Sequence, residues 1–176
     1  MTNPNPNSPY NPYLEADKLF FEADQKIKEA HIPEALELLL DVAAKYPEYG
    51  RAYNHLGFLY ETKYRNYQKA EEYYQKALQH APEYPATYLN YAALLSTLEK
   101  FQELETLLTK ALTTAGISKD KIYNEFGIMC ELQGKYEEAI DYFRKVIRYS
   151  LSDQDIAVYK KNIDRCKMKI QEEFMF

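Results

Sequence analysis

The chain has no tryptophan, only two cysteines and only five glycines among 176 residues. Each scarcity excludes something. Cys130 and Cys166 form no CxxC pair and no Cys/His cluster, so neither a zinc site nor a disulfide framework is in view. They read as two reduced, buried thiols in a reducing compartment. The glycines, at 50, 57, 116, 127 and 134, never cluster as a phosphate-binding loop would require. Basic excess is also lacking. The net charge is −5 and the isoelectric point near 5.3, which argues against nucleic acid or an anionic membrane as partner. Long apolar runs are absent too: the greasiest window, residues 36–44, is interrupted by Glu37 and Asp41. The amino terminus has no basic start and no apolar core, so it does not read as a secretory signal. The expectation is a cytoplasmic protein without metal or cofactor.

What the chain does hold is tyrosine, 18 of them, and a regular pattern of breaks. Residues 1–13, Asn- and Pro-rich, read as a flexible tail. From Leu14 onward apolar residues recur at three- and four-residue spacings, as in Leu36, Leu39, Leu40 and Ala43, which is helical periodicity. Turn signals such as "AHIPEA", "KYPEYG", "KYRNYQ" and "LQGKYE" cut the chain into segments of roughly 12 to 16 residues. The pattern predicts eight helices and a longer ninth, an all-α chain.

Two landmark series show that the helices come in repeated pairs. Small residues in the first helices fall at Ala23, Gly57, Ala92 and Gly127, at steps of 34, 35 and 35. In the second helices Ala35, Ala70, Leu104 and Ala139 follow at 35, 34 and 35. The second copy reads Tyr53-x2-Leu56-Gly57-x2-Tyr60, then Ala70-x3-Tyr74, Ala77 and Pro82. This resembles the tetratricopeptide repeat signature, with Tyr in place of the usual Trp. The fourth copy departs at Cys130 and lacks the closing proline. The third has Leu104 at a position usually small, and the first carries Glu22 and Lys26 at normally apolar places.

The resemblance implies a right-handed α-solenoid of about four helix pairs, residues 16–49, 50–84, 85–119 and 120–151, closed by a capping helix over 152–176. Gly57 costs roughly 1 kcal/mol against Ala inside a helix. Close helix approach offsets that cost, with Ala70 and Ala77 as the facing small surface. Ser152 with Asp155 resembles a capping box at the start of the last helix. There Ile156, Tyr159, Ile163, Cys166 and Ile170 form one apolar stripe. The terminal Phe-Met-Phe either tucks under the array or marks a contact.

Chemistry is harder to find. His31, His55 and His80 have no oriented nucleophile or carboxylate in any recognisable signature. Paired acids such as Glu71-Glu72 and Glu137-Glu138 read as solvated helix faces. The chain is therefore expected not to be an enzyme. In the family the first helices line a concave groove. Projected here, that assigns Arg51, Asn54, His55 and Phe58, then Asn90, then Lys121, Asn124 and Ile128, to partner binding, on faces where packing makes no demand. Asparagine amides can hold an extended backbone, Arg51 and Lys121 attract acidic side chains, and Phe58 seats an apolar one. A carboxylate clamp of the kind that holds chaperone tails fits only at Asn90 and Lys121; Phe58 and Glu125 do not match it. The partner is thus expected to be a protein or peptide, in an adaptor or assembly role. The alternatives are a homo-oligomer built through the carboxy-terminal helix and, less favoured by the acidic balance, an RNA-binding helical repeat.

Overall fold

The computed structural model describes residues 13–173. The tail up to residue 12 and the terminal Phe-Met-Phe lie outside the described residues. The described chain forms nine α-helices: α1 (Leu14–Lys28), α2 (Ile32–Lys45), α3 (Gly50–Thr62), α4 (Tyr67–His80), α5 (Pro85–Thr97), α6 (Phe101–Thr113), α7 (Lys119–Leu132), α8 (Tyr136–Tyr149) and α9 (Asp153–Glu173). They divide into two compact units, Met1–Tyr84 and Pro85–Phe176.

In the first unit each helix packs on the next, from α1 to α4. The core is built from Ala16, Phe20, Ala23, Leu39, Val42, Ala52, Leu56 and Leu59, all buried. Apolar residues three and four apart give each helix one buried stripe, and a neighbouring helix must cover it. Tyr13, assigned to the tail by composition, directly precedes α1. Its ring lies 5.8 Å from Tyr49 and 6.4 Å from Tyr46.

The space left by the missing Cβ of Gly57 is filled by an aromatic ring. A Cβ there would lie 2.6 Å from Tyr74 Cδ1, and one on Gly127 would lie 2.6 Å from Phe143 Cε1. Tyr74 and Phe143 are both fully buried. The glycines thus admit a ring from the second helix, while Ala70 and Ala77 flank it.

The tyrosine excess acquires a structural account. Tyr73 on α4 stacks on Tyr53 at 6.3 Å and on Tyr60 at 5.4 Å, with Lys76 over Tyr73 at 5.6 Å and Lys69 over Tyr60 at 5.0 Å. The fourth pair repeats the device. Tyr142 stacks on Tyr123 at 6.3 Å and on Phe126 at 4.9 Å, with Lys145 over Tyr142 at 4.5 Å. Each ring buries apolar area and offers a negative face to a lysine that remains in water.

The turns inside the pairs keep the period in their backbone. Ala30, Arg65, Glu99 and Gly134 take φ of 62°, 53°, 55° and 75°. At three of them the next amide closes the helix end: His31 N–H donates to the Lys26 carbonyl, Lys100 to Leu95 and Lys135 to Cys130, each at 2.9 Å. The second turn is one residue longer, and Asn66 N–H reaches Tyr60 instead, at 2.8 Å. Only Gly134 fills this left-handed position without a Cβ penalty. Glu99→Gly and Ala30→Gly should therefore each raise the unfolding free energy by about 0.5–1 kcal/mol, once the entropy glycine adds to the unfolded chain is subtracted. Urea titration measures this; a loss on both substitutions would refute it.

In the second unit α5 packs on α6 and α7, α6 on α7, α7 on α8 and α8 on α9. The last helix is held by more than its apolar stripe. Ser152 Oγ accepts from Asp155 N–H at 3.2 Å, so the expected cap forms. Ile163 and Cys166 are buried. Glu131 on α7, 8 % exposed, accepts from Arg165 at 2.7 and 2.6 Å and from Lys169 at 2.8 Å. The equivalent residue in the second pair, Glu61, accepts instead from the Tyr74 hydroxyl at 2.7 Å. Phe143 replaces that tyrosine in the fourth pair, so no hydroxyl competes for Glu131. Cys130 and Cys166 are both free and buried, and burial pushes the Cys130 thiol up to about 11.

Candidate functional site

Position 51 and its neighbours recur seventy residues later. Arg51, Asn54, His55 and Phe58 on α3 correspond in turn to Lys121, Asn124, Glu125 and Ile128 on α7. Residues at i, i+3, i+4 and i+7 share one helix face. Each unit therefore carries its own version of the same stripe: a cation, an asparagine, a polar group and an apolar residue.

In the first unit the stripe is less open than periodicity suggests. Arg51 is exposed, and its guanidinium carbon lies 5.4 Å from the centre of the Tyr84 ring. It pairs with no carboxylate among the described residues. Asn54, however, is only 2 % exposed. A face expected to be free is partly used by the fold. His55 shows the same. Its ring stands edge-on to Phe20 at 4.5 Å, and its Nε2 lies 3.5 Å from Asp24 Oδ1. Burial holds the imidazole below its ordinary pKa, against the opposing pull of Asp24. Asp24 is itself held low, chiefly by the bond from Lys28 at 2.8 Å. Nδ1 of His55 is buried. His55 is thus a packed contact between α1 and α3 that leaves little imidazole for a ligand. Phe58 is half-buried at the far end of the stripe.

Two residues here escaped the sequence reading: Tyr49, whose hydroxyl donates to Asp17 Oδ1 at 2.6 Å, and Tyr84 beneath Arg51. The available signal was the tripeptide Pro-Glu-Tyr, which recurs at 47–49 and 82–84 in the turns between pairs. Burial and the bond to Asp17 push the Tyr49 hydroxyl well above its ordinary range, so it stays a donor.

In the second unit Lys121 is exposed, while Asn124, Glu125 and Ile128 are half-buried on α7. Asn90 is half-buried on α5, a helix that packs against α7. The Asn124 amide donates to Glu125 Oε1 at 3.1 Å. Burial raises the Glu125 carboxyl above the usual range, and the asparagine bond only partly offsets it. Among the described residues no group of three His, Cys, Asp or Glu side chains could hold a metal. No helix among them is long and apolar enough to cross a membrane.

Antiparallel helix pairs with a ring seated on a glycine, repeating at 34 to 35 residues, define an α-helical repeat protein. The sequence profile of the tetratricopeptide repeat matches residues 50–84 and 120–153, so the chain carries two recognisable copies of that repeat. Comparison with curated proteins by sequence finds no match. Several solved structures share the fold. A thermophilic TPR protein of Thermus thermophilus is 21 % identical, with a TM-score of 0.64 over 90 % of this chain and 83 % of that one. PilW, a widely conserved type IV pilus biogenesis factor, is 17 % identical, with a TM-score of 0.72 over 93 % and 79 %. MamA of Desulfovibrio magneticus RS-1 is 16 % identical, with a TM-score of 0.64 over 90 % and 93 %. At these identities the likeness is one of fold.

Proposed function

We propose that this chain is a non-catalytic interaction module, an adaptor or assembly factor that holds a segment of a protein partner on its first-helix stripes. The observation that carries the reading is Arg51. It is an exposed guanidinium steadied over Tyr84, with no carboxylate partner among the described residues, seven residues before the half-buried Phe58. Such a pair offers a charged and an apolar contact at one helix-turn multiple, which suits an acidic side chain followed by an apolar one. Lys121 and Ile128 supply the same two contacts in the second unit. Asn54, being buried, orients the stripe more than it touches a ligand. Asn90 and Asn124 remain candidates for contacts to the partner's backbone.

Capture of partner proteins from native lysate by wild type and by Arg51→Ala/Phe58→Ala tests this. The double variant should retain at least tenfold less partner while keeping its far-UV spectrum. Equal capture by the folded variant would remove the stripe from the binding surface. A second reading, self-association through α9, draws on exposed Val158 and Met168 on that helix and on Leu151 just before it. A monomeric mass in light scattering would dismiss it.

A further inference from the structure

The α7 stripe keeps the cation, the asparagine and the apolar position of the α3 stripe and changes character at one position, where His55 gives way to Glu125. We propose that Glu125 makes this face selective for a basic side chain of the partner, with a guanidinium as the preferred group. The inference rests on the segment-binding reading above and adds to it the chemistry of one anchor.

Two other shielded carboxylates have cations beside them: Asp24 has Lys28 at 2.8 Å, and Glu131 has Arg165 and Lys169. Glu61 is closed off by the fully buried Tyr74, whose hydroxyl donates to it. Glu125 is half-buried with one neutral donor, Asn124, and no cation pairs with it among the described residues. Lys121, one turn earlier on the same helix, is exposed and forms no ion pair with it. A carboxylate withdrawn from water without a counter-charge is costly, and an arriving cation would recover that cost. The Tyr159 hydroxyl on α9 is raised first by burial and then by Asp155, Asp120 and Glu125.

Shape favours arginine. A guanidinium presents parallel N–H groups to a carboxylate and has others to spare. The Asn124 amide oxygen, beside Glu125, can accept one of those. Ile128, three residues on and half-buried, offers apolar surface to the methylene stem. The second stripe then adds a basic side chain, read by Glu125, to the acidic one that Lys121 attracts as Arg51 does in the first unit.

The test uses the full chain, isotope-labelled, and two blocked pentapeptides, Gly-Ala-Arg-Ala-Gly and the same peptide with neutral citrulline for arginine. The side-chain carboxyl carbon of Glu125 and the amides of Asn124 and Ile128 report binding by NMR. The arginine peptide should give a saturable shift at all three, at least tenfold weaker for citrulline and lost in Glu125→Gln. That variant removes a shielded charge and should fold. A shift of equal affinity with citrulline, a shift that persists in Glu125→Gln, or none at Glu125 would overturn the proposal. Partner capture separates the two readings. If Arg51→Ala/Phe58→Ala loses the partner while Glu125 ignores arginine, only this inference fails. If Glu125 binds arginine while the double variant keeps its partner, the reading of the α3 stripe fails.

Discussion

Gly57→Ala is expected to lower the unfolding free energy by about 1–2 kcal/mol, although alanine is the better helix former. In an exposed helix interior the substitution would stabilise by about 1 kcal/mol. Here the new methyl would sit 2.6 Å from Tyr74 Cδ1 and 2.7 Å from Cε1. The ring has nowhere to go: it is fully buried, and its hydroxyl is tied to Glu61 at 2.7 Å. Overpacking of a filled core costs about 1–3 kcal/mol, sometimes more, and here the ring's tether puts the cost high in that range. The loss should therefore exceed the helix gain. Urea unfolding of wild type, Gly57→Ala and Gly57→Ala/Tyr74→Leu would show this. The second substitution makes room, so in its presence Gly57→Ala should cost much less. Equal cost in both backgrounds would mean that the ring is not the obstacle.

Glu131→Gln should cost about 1–3 kcal/mol and release α9 before the rest of its unit unfolds. Removing one member of a buried ion pair costs about 3–5 kcal/mol when the other charge is left stranded. Arg165 and Lys169 are 45 % and 43 % exposed, so both can return to water and the loss is smaller. Hydrogen exchange of α9 amides should accelerate tenfold or more relative to those of α8. Uniform acceleration across α7, α8 and α9 would sink the clamp as a local device. The same carboxylate sets an acid dependence. The Arg165 guanidinium foremost, with Lys169, holds Glu131 at about 2, against an ordinary 4.5. The folded state thus binds fewer protons than the unfolded one between those values. The contribution is complete above about pH 4.5, declines as pH falls and is gone near pH 2. In Glu131→Gln that part of the acid slope should disappear.

Much of this was legible in the residues because the demands are local. The 3.6-residue periodicity, the turn signals and the small residues at 34 to 35 residue steps each follow from one helix pair needing to bury one face. Gly57, Ala70, Tyr74 and Ala77 could be assigned together because they belong to one pair, within about twenty residues of each other. The capping role of Ser152 was legible for the same reason. The exposed cation of the α3 stripe was also in view, since nothing in its own helix competes for Arg51.

What sequence could not supply was the use made of a helix face by a helix two elements away. Asn54 and His55 were assigned to an open surface by the angle they make with Gly57. Only the placement of Phe20 and Asp24 by α1 shows His55 to be packed, and only the folded chain shows Asn54 to be buried. Glu61 and Glu131 occupy equivalent positions and read alike in sequence. Their partners differ because Phe143 lacks the hydroxyl of Tyr74 and because α9 brings Arg165 and Lys169 from more than thirty residues away. By itself the sequence determined the repeat, its period and the residues that interlock within each pair, since these are short-range requirements of helix geometry. Tertiary structure alone decided which polar groups are shielded and by what they are satisfied. Desolvation and ion pairing depend on every element that reaches a site, and periodicity along one helix carries no information about the others.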